Sequence, residues 1–254
     1  MDEAVPTRKI REGRLTLVGK LFQNPKINFL AFQNTMRRAW RLENVTFSFL
    51  ESGIYAITFM TEAELLRVYE TGPWSFLSHL LILKKWEPDM SPHRYEFDMC
   101  PFLVQICGLP FEWLIEEVIL RAVKSLSLVM DVKVDAKGIA AHKIGKAKFL
   151  LDVTTPLKSG FIASKGGKKL WLDYKYERLL DFCYSCGRFG HYANYCEEVE
   201  FKYENLETKD KCLYGRWLKV QVQGHNPFMK LFYGELKEED IEEEIIPETL
   251  VHSL

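Results

Sequence analysis

Cys183, Cys186, His191 and Cys196 stand in the run Cys183-Tyr-Ser-Cys186-Gly-Arg-Phe-Gly-His191-Tyr-Ala-Asn-Tyr-Cys196, a C-x2-C-x4-H-x4-C spacing. Three thiolates and one imidazole complete a tetrahedral zinc shell. A shell of four protein ligands leaves no position for water or substrate, so the chemistry is structural rather than catalytic. A segment of fourteen residues cannot fold on a core of its own, and the metal must supply most of its folding free energy. Gly187 and Gly190 suit tight loops around a metal, where the backbone takes conformations that a side chain penalises. On this reading the α/β cores elsewhere in the chain do not depend on the metal.

The positions between the ligands carry four aromatic rings, Tyr184, Phe189, Tyr192 and Tyr195, and the cation Arg188. So small a segment cannot bury all four rings. An exposed ring beside a cation suits an unpaired base, which offers a π-face to stack on and a phosphate to pair with. Tyr184, Tyr192 and Arg188 are therefore the expected contacts to single-stranded nucleic acid. The alternative is that one or two rings pack against the neighbouring domain. Upstream, residues 137–170 hold eight lysines against the single acid Asp152. Such a cluster is the electrostatic footprint of phosphate binding or else a solvated face. Lys165, Lys168 and Lys169, closest to the ligands, are the candidate phosphate contacts.

The segment from Tyr176 to His191 resembles the plant zinc-knuckle family related to LINE-type retrotransposons, in which a domain of unknown function precedes a knuckle of this spacing. Two further stretches are similar to that family: Phe49 to Trp86, including Gly72-Pro73-Trp74 and Leu83-Lys-Lys-Trp86, and Tyr214-Gly-Arg-Trp-Leu218. The knuckle also resembles the retroviral nucleocapsid type, with Tyr184 at its aromatic position. The resemblance spans roughly residues 15 to 220. It implies zinc and nucleic-acid binding, in a retroelement's first reading-frame product or a domesticated copy.

With 254 residues, 47% of them hydrophobic, the chain can bury a sizeable core in one or two domains. No apolar run approaches eighteen residues, so no membrane span is expected. The N-terminus lacks the apolar core of a signal peptide. Cys100, Cys107 and Cys212 remain after the ligands, an odd number without disulfide-like spacing, which points to the nucleus or cytoplasm. These three read as small core hydrophobes. The net charge of −1 conceals an asymmetry: residues 235–254 carry −7 and the first 234 carry +6.

The fold expected is α+β. After an N-terminal tail (1–14), residues 15–86 alternate in the order β-α-β-β-α-β, a ferredoxin-like or RNA-recognition-type domain. Asn28 caps its first helix and Thr61 its second, and the strands near 45–50 and 54–60 form a hairpin. Tyr55, Ile57 and Phe59 are expected to face the helices, leaving an open sheet face without aromatics. A linker (87–100) leads to a second, smaller α/β unit (101–181) with one clear helix and turns near 157–160 and 165–167. The knuckle (182–197), a segment packing back (198–234) and an acidic tail (235–254) follow.

No phosphate-binding glycine loop, nucleophile elbow or second metal cluster occurs, so catalysis and a small-molecule substrate are not expected. Two readings remain. One is a zinc-dependent protein binding single-stranded RNA or DNA through the knuckle and lysine stretch. The other is a protein-interaction adaptor using the knuckle and the open sheet face, with the first domain or acidic tail meeting protein partners.

Overall fold

In the computed structural model, the described residues are 13–124, 126, 128–134, 144–165, 168–180, 182–197 and 214–222. The acidic tail, Cys212, Lys137 and Lys143 lie outside them. The chain forms two compact α+β units, divided between Pro101 and Phe102, each built on an antiparallel sheet. Among the described residues no helix is long and apolar enough to cross a membrane.

The first unit runs β1 (Thr16–Leu21), α1 (Phe29–Trp40), β2 (Thr46–Phe49), β3 (Ile54–Thr58), α2 (Glu62–Glu70), β4 (Trp74–Phe76) and β5 (His79–Lys85). Local chemistry sets these bounds. Asn28 Oδ1 accepts from the Ala31 N–H at 3.0 Å and starts α1, which ends where Arg41 turns left-handed. Thr61 and Glu64 close a reciprocal capping box on α2. The positive φ of Ser52 and Gly53 makes the tight turn between β2 and β3. The strands lie in the order β2-β3-β1-β5-β4. The short strand β4 was not expected; three residues between a helix end and a turn give no readable alternation.

On the helix side, Phe32, Met36 and Trp40 of α1 and Leu65 and Val68 of α2 bury against Tyr55, Ile57, Phe59, Leu81 and Leu83. Trp40 stacks on Phe47 with ring centroids 5.6 Å apart. Arg67 Nη2 donates to the Trp40 carbonyl at 2.7 Å, tying α2 to the end of α1. The expected inward set of β3 is thus the observed one.

The opposite face corrects an expectation. It was read as open, yet Val18, Ile54 and Ile82, whose register puts them there, are only 2%, 3% and 0% exposed. Residues 87–98, expected as a linker, run back over this face. The Phe97 ring lies 5.9 Å from Nζ of Lys20, which pairs with Ile54 and Ile82 in the sheet. The Tyr95 hydroxyl accepts from the Glu87 N–H at 2.8 Å, and His93 Nδ1 reaches Glu51 Oε1 at 3.7 Å beside the β2–β3 turn. Mixed charge and two prolines gave this segment the composition of a linker, but Phe97 and His93 bring it against the sheet.

The second unit runs β6 (Met99–Cys107), a single 3-10 turn at Phe111–Trp113, α3 (Glu116–Lys124), β7 (Val129–Val132), β8 (Gly145–Asp152), β9 (Gly160–Lys165) and β10 (Lys168–Tyr176). Their order is β7-β8-β6-β10-β9. Strand β9 falls where only turns were expected. Flanking glycines and lysines hid a six-residue strand that pairs with β10 from Gly160↔Asp173 to Lys165↔Lys168. Helix α3 packs through Ile119, Ala122 and Val123, and the buried Tyr174 hydroxyl donates to the Ala122 carbonyl at 2.5 Å. Cys100 is buried, and burial pushes its thiol up to about 12, as befits a core hydrophobe; Cys107 is half-buried.

A covered face makes a measurable difference. Ile82→Ala should cost about 2–5 kcal/mol in denaturant unfolding, comparable to Leu81→Ala on the helix side. A cost near that of an exposed surface substitution, within about 0.5 kcal/mol, would mean the face is bare.

Candidate metal centre and aromatic cleft

Strand β10 ends at Tyr176 and passes the chain through Leu179 and Phe182, both buried, into the ligand loop. The Gly187 N–H donates to the Cys183 carbonyl at 2.8 Å, and the Cys183 N–H donates to the Arg188 carbonyl at 2.9 Å. These two bonds fold the Cys183–Cys186 turn back on itself. Gly187 and Gly190 take φ of 77° and 97°, which side chains rarely adopt. A Cβ on Gly187 would also sit 2.3 Å from the Tyr214 ring. A single 3-10 turn, Ala193–Tyr195, then delivers Cys196.

The ligand atoms of Cys183, Cys186, His191 and Cys196 all lie within 4.8 Å of one another. Cys186 Sγ and His191 Nε2 are 3.3 Å apart. Bonds of about 2.3 Å in a tetrahedron put sulfurs about 3.8 Å apart, so the donors are already gathered as a cation needs them. Cys183 and Cys186 are buried. Burial, with Cys183 and Cys196 crowded beside it, pushes the Cys186 thiol up to about 12. Against the opposing effect of burial, hydrogen bonds to backbone groups of Cys186 and Ser185 pull the Cys183 thiol below its ordinary value. Gathering thiols in a buried site is costly without a cation and favourable with one. Three sulfurs and one imidazole nitrogen gathered this closely fit zinc, which such donor sets hold tetrahedrally.

The loop is not an isolated module. Phe189 is 4% exposed, and its ring stacks on Phe102 of β6 with centroids 6.0 Å apart. The Leu157 N–H donates to the Gly187 carbonyl at 2.9 Å, and Arg188 Nη1 donates to the Thr154 carbonyl. From the other side, Tyr214 meets Phe182 edge-on. Leu218 is fully buried, and the Val220 N–H bonds the Tyr176 carbonyl. The stretch Tyr214–Val222 therefore packs on the second unit, beside the ligand loop.

The predicted contact residues separate into distinct roles. Tyr192 is half exposed and Tyr184 half-buried. With Phe182, Ala193 and Asn194 they line an open cleft of about 390 Å³ next to the metal ligands. Tyr195 is 78% exposed. Arg188 is half-buried and spends a guanidinium N–H on the Thr154 carbonyl, so it anchors the loop. Phe182 was missed as a cleft residue; its place directly before Cys183 was the available signal.

The lysines of this stretch divide between the two ends of β10: the Lys158 carbonyl accepts from the Tyr176 hydroxyl at 2.7 Å, beside the ligand loop, and three others lie at the far end. Lys165 and Lys168 pair across the β9–β10 hairpin, and Lys169 pairs with Ser164; the side chains of all three lie outside the described residues. Eight residues separate Lys168 from Tyr176, a span of about 26 Å along β10. The hairpin end and the knuckle thus occupy opposite ends of one strand. Lys146 instead joins Glu177 at 3.1 Å, and Gln105 donates to the same carboxylate at 2.9 Å.

Comparison with known proteins gives two family matches. The zinc knuckle family matches residues 151–198, and a domain of unknown function (DUF4283) matches residues 11–94. The chain thus carries a C-C-H-C zinc knuckle behind a DUF4283 domain. An uncharacterized protein of Arabidopsis thaliana is 23% identical over 134 residues, 52% of this chain. The chain spans 42% of that relative's length. A crystal structure of the first two RRM domains of yeast poly(U) binding protein covers 63% of this chain and 98% of its own. At 10% identity and a TM-score of 0.21, that likeness carries no weight for fold or ligand.

The centre should bind one zinc per chain, measured by elemental analysis of protein purified without chelator. Affinity should fall as pH drops, because each thiol must lose its proton to bind. Gly187→Ala should weaken zinc binding, through both its left-handed backbone and the Tyr214 ring. Zinc affinity equal to the parent's would show that the loop tolerates another path.

Proposed function

We propose that this chain is a zinc-dependent nucleic-acid-binding protein that takes single-stranded RNA or DNA through its knuckle. The carrying observation is the cleft between Tyr184 and Tyr192, floored by Phe182 and set beside the metal ligands. Two rings lining an open cleft with room for a base suit stacking, which tolerates any base. Phosphates need cations; Arg188, which gives one of its five guanidinium N–H groups to Thr154, and Lys165, Lys168 and Lys169 at the hairpin end are the proposed sources. A ligand meeting both ends must extend about 26 Å, or about eight nucleotides at stacked spacing of about 3.4 Å.

The zinc knuckle match supports this reading. So does the order β2-β3-β1-β5 with both helices on one face, the arrangement of a ferredoxin-like or RNA-recognition-type domain. The covered face of the first sheet leaves that domain without a base-stacking surface, so it serves as scaffold. The reading includes no catalysis and places the protein in nucleus or cytoplasm, where its thiols stay reduced. Origin in a retroelement, or in a domesticated copy, belongs to it through the resemblance of the knuckle and its flanks. The adaptor reading loses the open sheet face on which it relied and keeps only the knuckle surface.

Fluorescence titration with single-stranded oligonucleotides at several salt concentrations tests the proposal. Tyr184→Ala and Tyr192→Ala should each cost about 1–3 kcal/mol of affinity. Replacing Lys165, Lys168 and Lys169 by Ala together should flatten the salt dependence for long oligonucleotides and leave the shortest ones nearly unaffected. Absence of binding at low salt would turn the assignment toward a protein partner.

A further inference from the structure

The two units share one strand permutation. In the first, β1-α1-β2-β3-α2-β4-β5 gives the order β2-β3-β1-β5-β4. In the second, β6-α3-β7-β8, a connection, then β9-β10 gives β7-β8-β6-β10-β9. Position for position the two orders are the same, down to the short strand that precedes the last one and pairs outside it. One element differs. Between β3 and β4 the first unit has α2, which buries Leu65 and Val68. Between β8 and β9 the described residues hold no helix, only residues 153–159 with Val153 and Leu157 buried.

A sheet face without its second helix must be covered by something else. In the first unit α2 packs on β1. In the second, the strand matching β1 is β6, and on it lies Phe189 of the ligand loop, stacked on Phe102. Phe102 meets Tyr176 edge-on, and Phe182 meets Phe189 the same way. The residues that replaced the helix bond directly to the loop, Leu157 to Gly187 and Thr154 to Arg188. The zinc knuckle match itself begins at Leu151, inside β8, well before Cys183.

We infer that the knuckle stands in for the second helix of the second unit, so that the metal is a folding cofactor of that whole sheet and not of the knuckle alone. A helix supplies a buried face through its own backbone hydrogen bonds. A fourteen-residue loop with one 3-10 turn has few of these, and the four ligands hold it in their place. Without the cation, Phe189 has no fixed loop to carry it, and Phe102, Tyr176 and Phe149 lose their cover. The first unit, with both helices, has no such dependence.

The inference rests on zinc occupying the four-ligand site. The test is native-state hydrogen exchange by mass spectrometry on the full chain, zinc-loaded and then stripped by chelator under reducing conditions, with metal content measured in both states. Stripping should lower protection in β6, β8 and β10 by more than about a hundredfold, on the scale of losing a buried Phe, while β1, β3 and β5 keep theirs. Unchanged protection in the second sheet with zinc shown to be gone overturns the inference and leaves the metal assignment standing. Equal loss in both sheets overturns its confinement to the second unit. A chain that never holds zinc, yet protects its second sheet, overturns both. Phe189→Ala provides the independent arm. With zinc retained, it should reproduce the loss in β6 and β10; a lowered zinc affinity also supports the coupling, since linkage is reciprocal. Parent-like protection and parent-like zinc affinity in that variant would refute it.

Discussion

The stacking of Phe189 on Phe102 is the contact that joins the metal-ligand loop to the second sheet. It joins a loop with little regular structure to the central strand of a five-stranded sheet. The loop reaches that position because four ligand atoms are drawn within 4.8 Å of one another and two residues with positive φ let the backbone turn between them. Burying a Phe is worth several kcal/mol, a large share of a domain's net stability. The metal site, the sheet core and the C-terminal stretch with Tyr214 and Leu218 therefore form one packed assembly, with Phe182 and Tyr176 between them.

The faces of the two sheets decide where a ligand can go. A four-stranded sheet with two helices on one side offers its other side to a partner, and an RNA-recognition motif stacks bases there. In the first unit that side is not bare: Val18, Ile54 and Ile82 are buried, and Phe97 meets Lys20 there. The proposed function places the base at the knuckle cleft instead. Its rings come from the same segment that meets the sheet core: Phe189 is buried on Phe102, Phe182 is buried at the cleft floor, and Tyr184 and Tyr192 line the cleft. Alternation of buried and accessible rings along one short loop couples the scaffold to the site.

The ligand set was legible in the sequence because its geometry is local; fourteen residues contain every donor, and spacing alone selects them. The caps at Asn28 and Thr61 and the inward set of β3 were legible for the same reason. What could not be read was tertiary. Nothing near Phe189 says that its partner is Phe102, 87 residues earlier. Residues 87–98 have the composition of a linker, and their contacts with the first sheet, Phe97 near Lys20 and His93 near Glu51, are tertiary. Strand β9 was hidden because Gly160, Lys165 and the glycines after it resemble a loop, whereas pairing with β10 supplies the regularity that composition lacks. Sequence adjacency also misled: the lysines near the ligands in the chain lie on a strand that carries them away in space.

That separation changes what binding requires of the ligand. A cation beside the stacked base would give a compact site suited to one or two nucleotides. Here Arg188 gives one guanidinium N–H to Thr154 and so also holds the loop, while the three hairpin lysines lie at the other end of β10. Stacking and the lysine charges are thus assigned to opposite ends of β10, and the rigid strand fixes their distance. Two weak contacts joined by a stiff spacer favour ligands long enough to reach both, because the second contact is then made at high local concentration. Short oligonucleotides gain only the cleft. On the proposed function, selectivity would come from length and single-strandedness, properties that a paired duplex with its bases stacked inward cannot offer to Tyr184 and Tyr192.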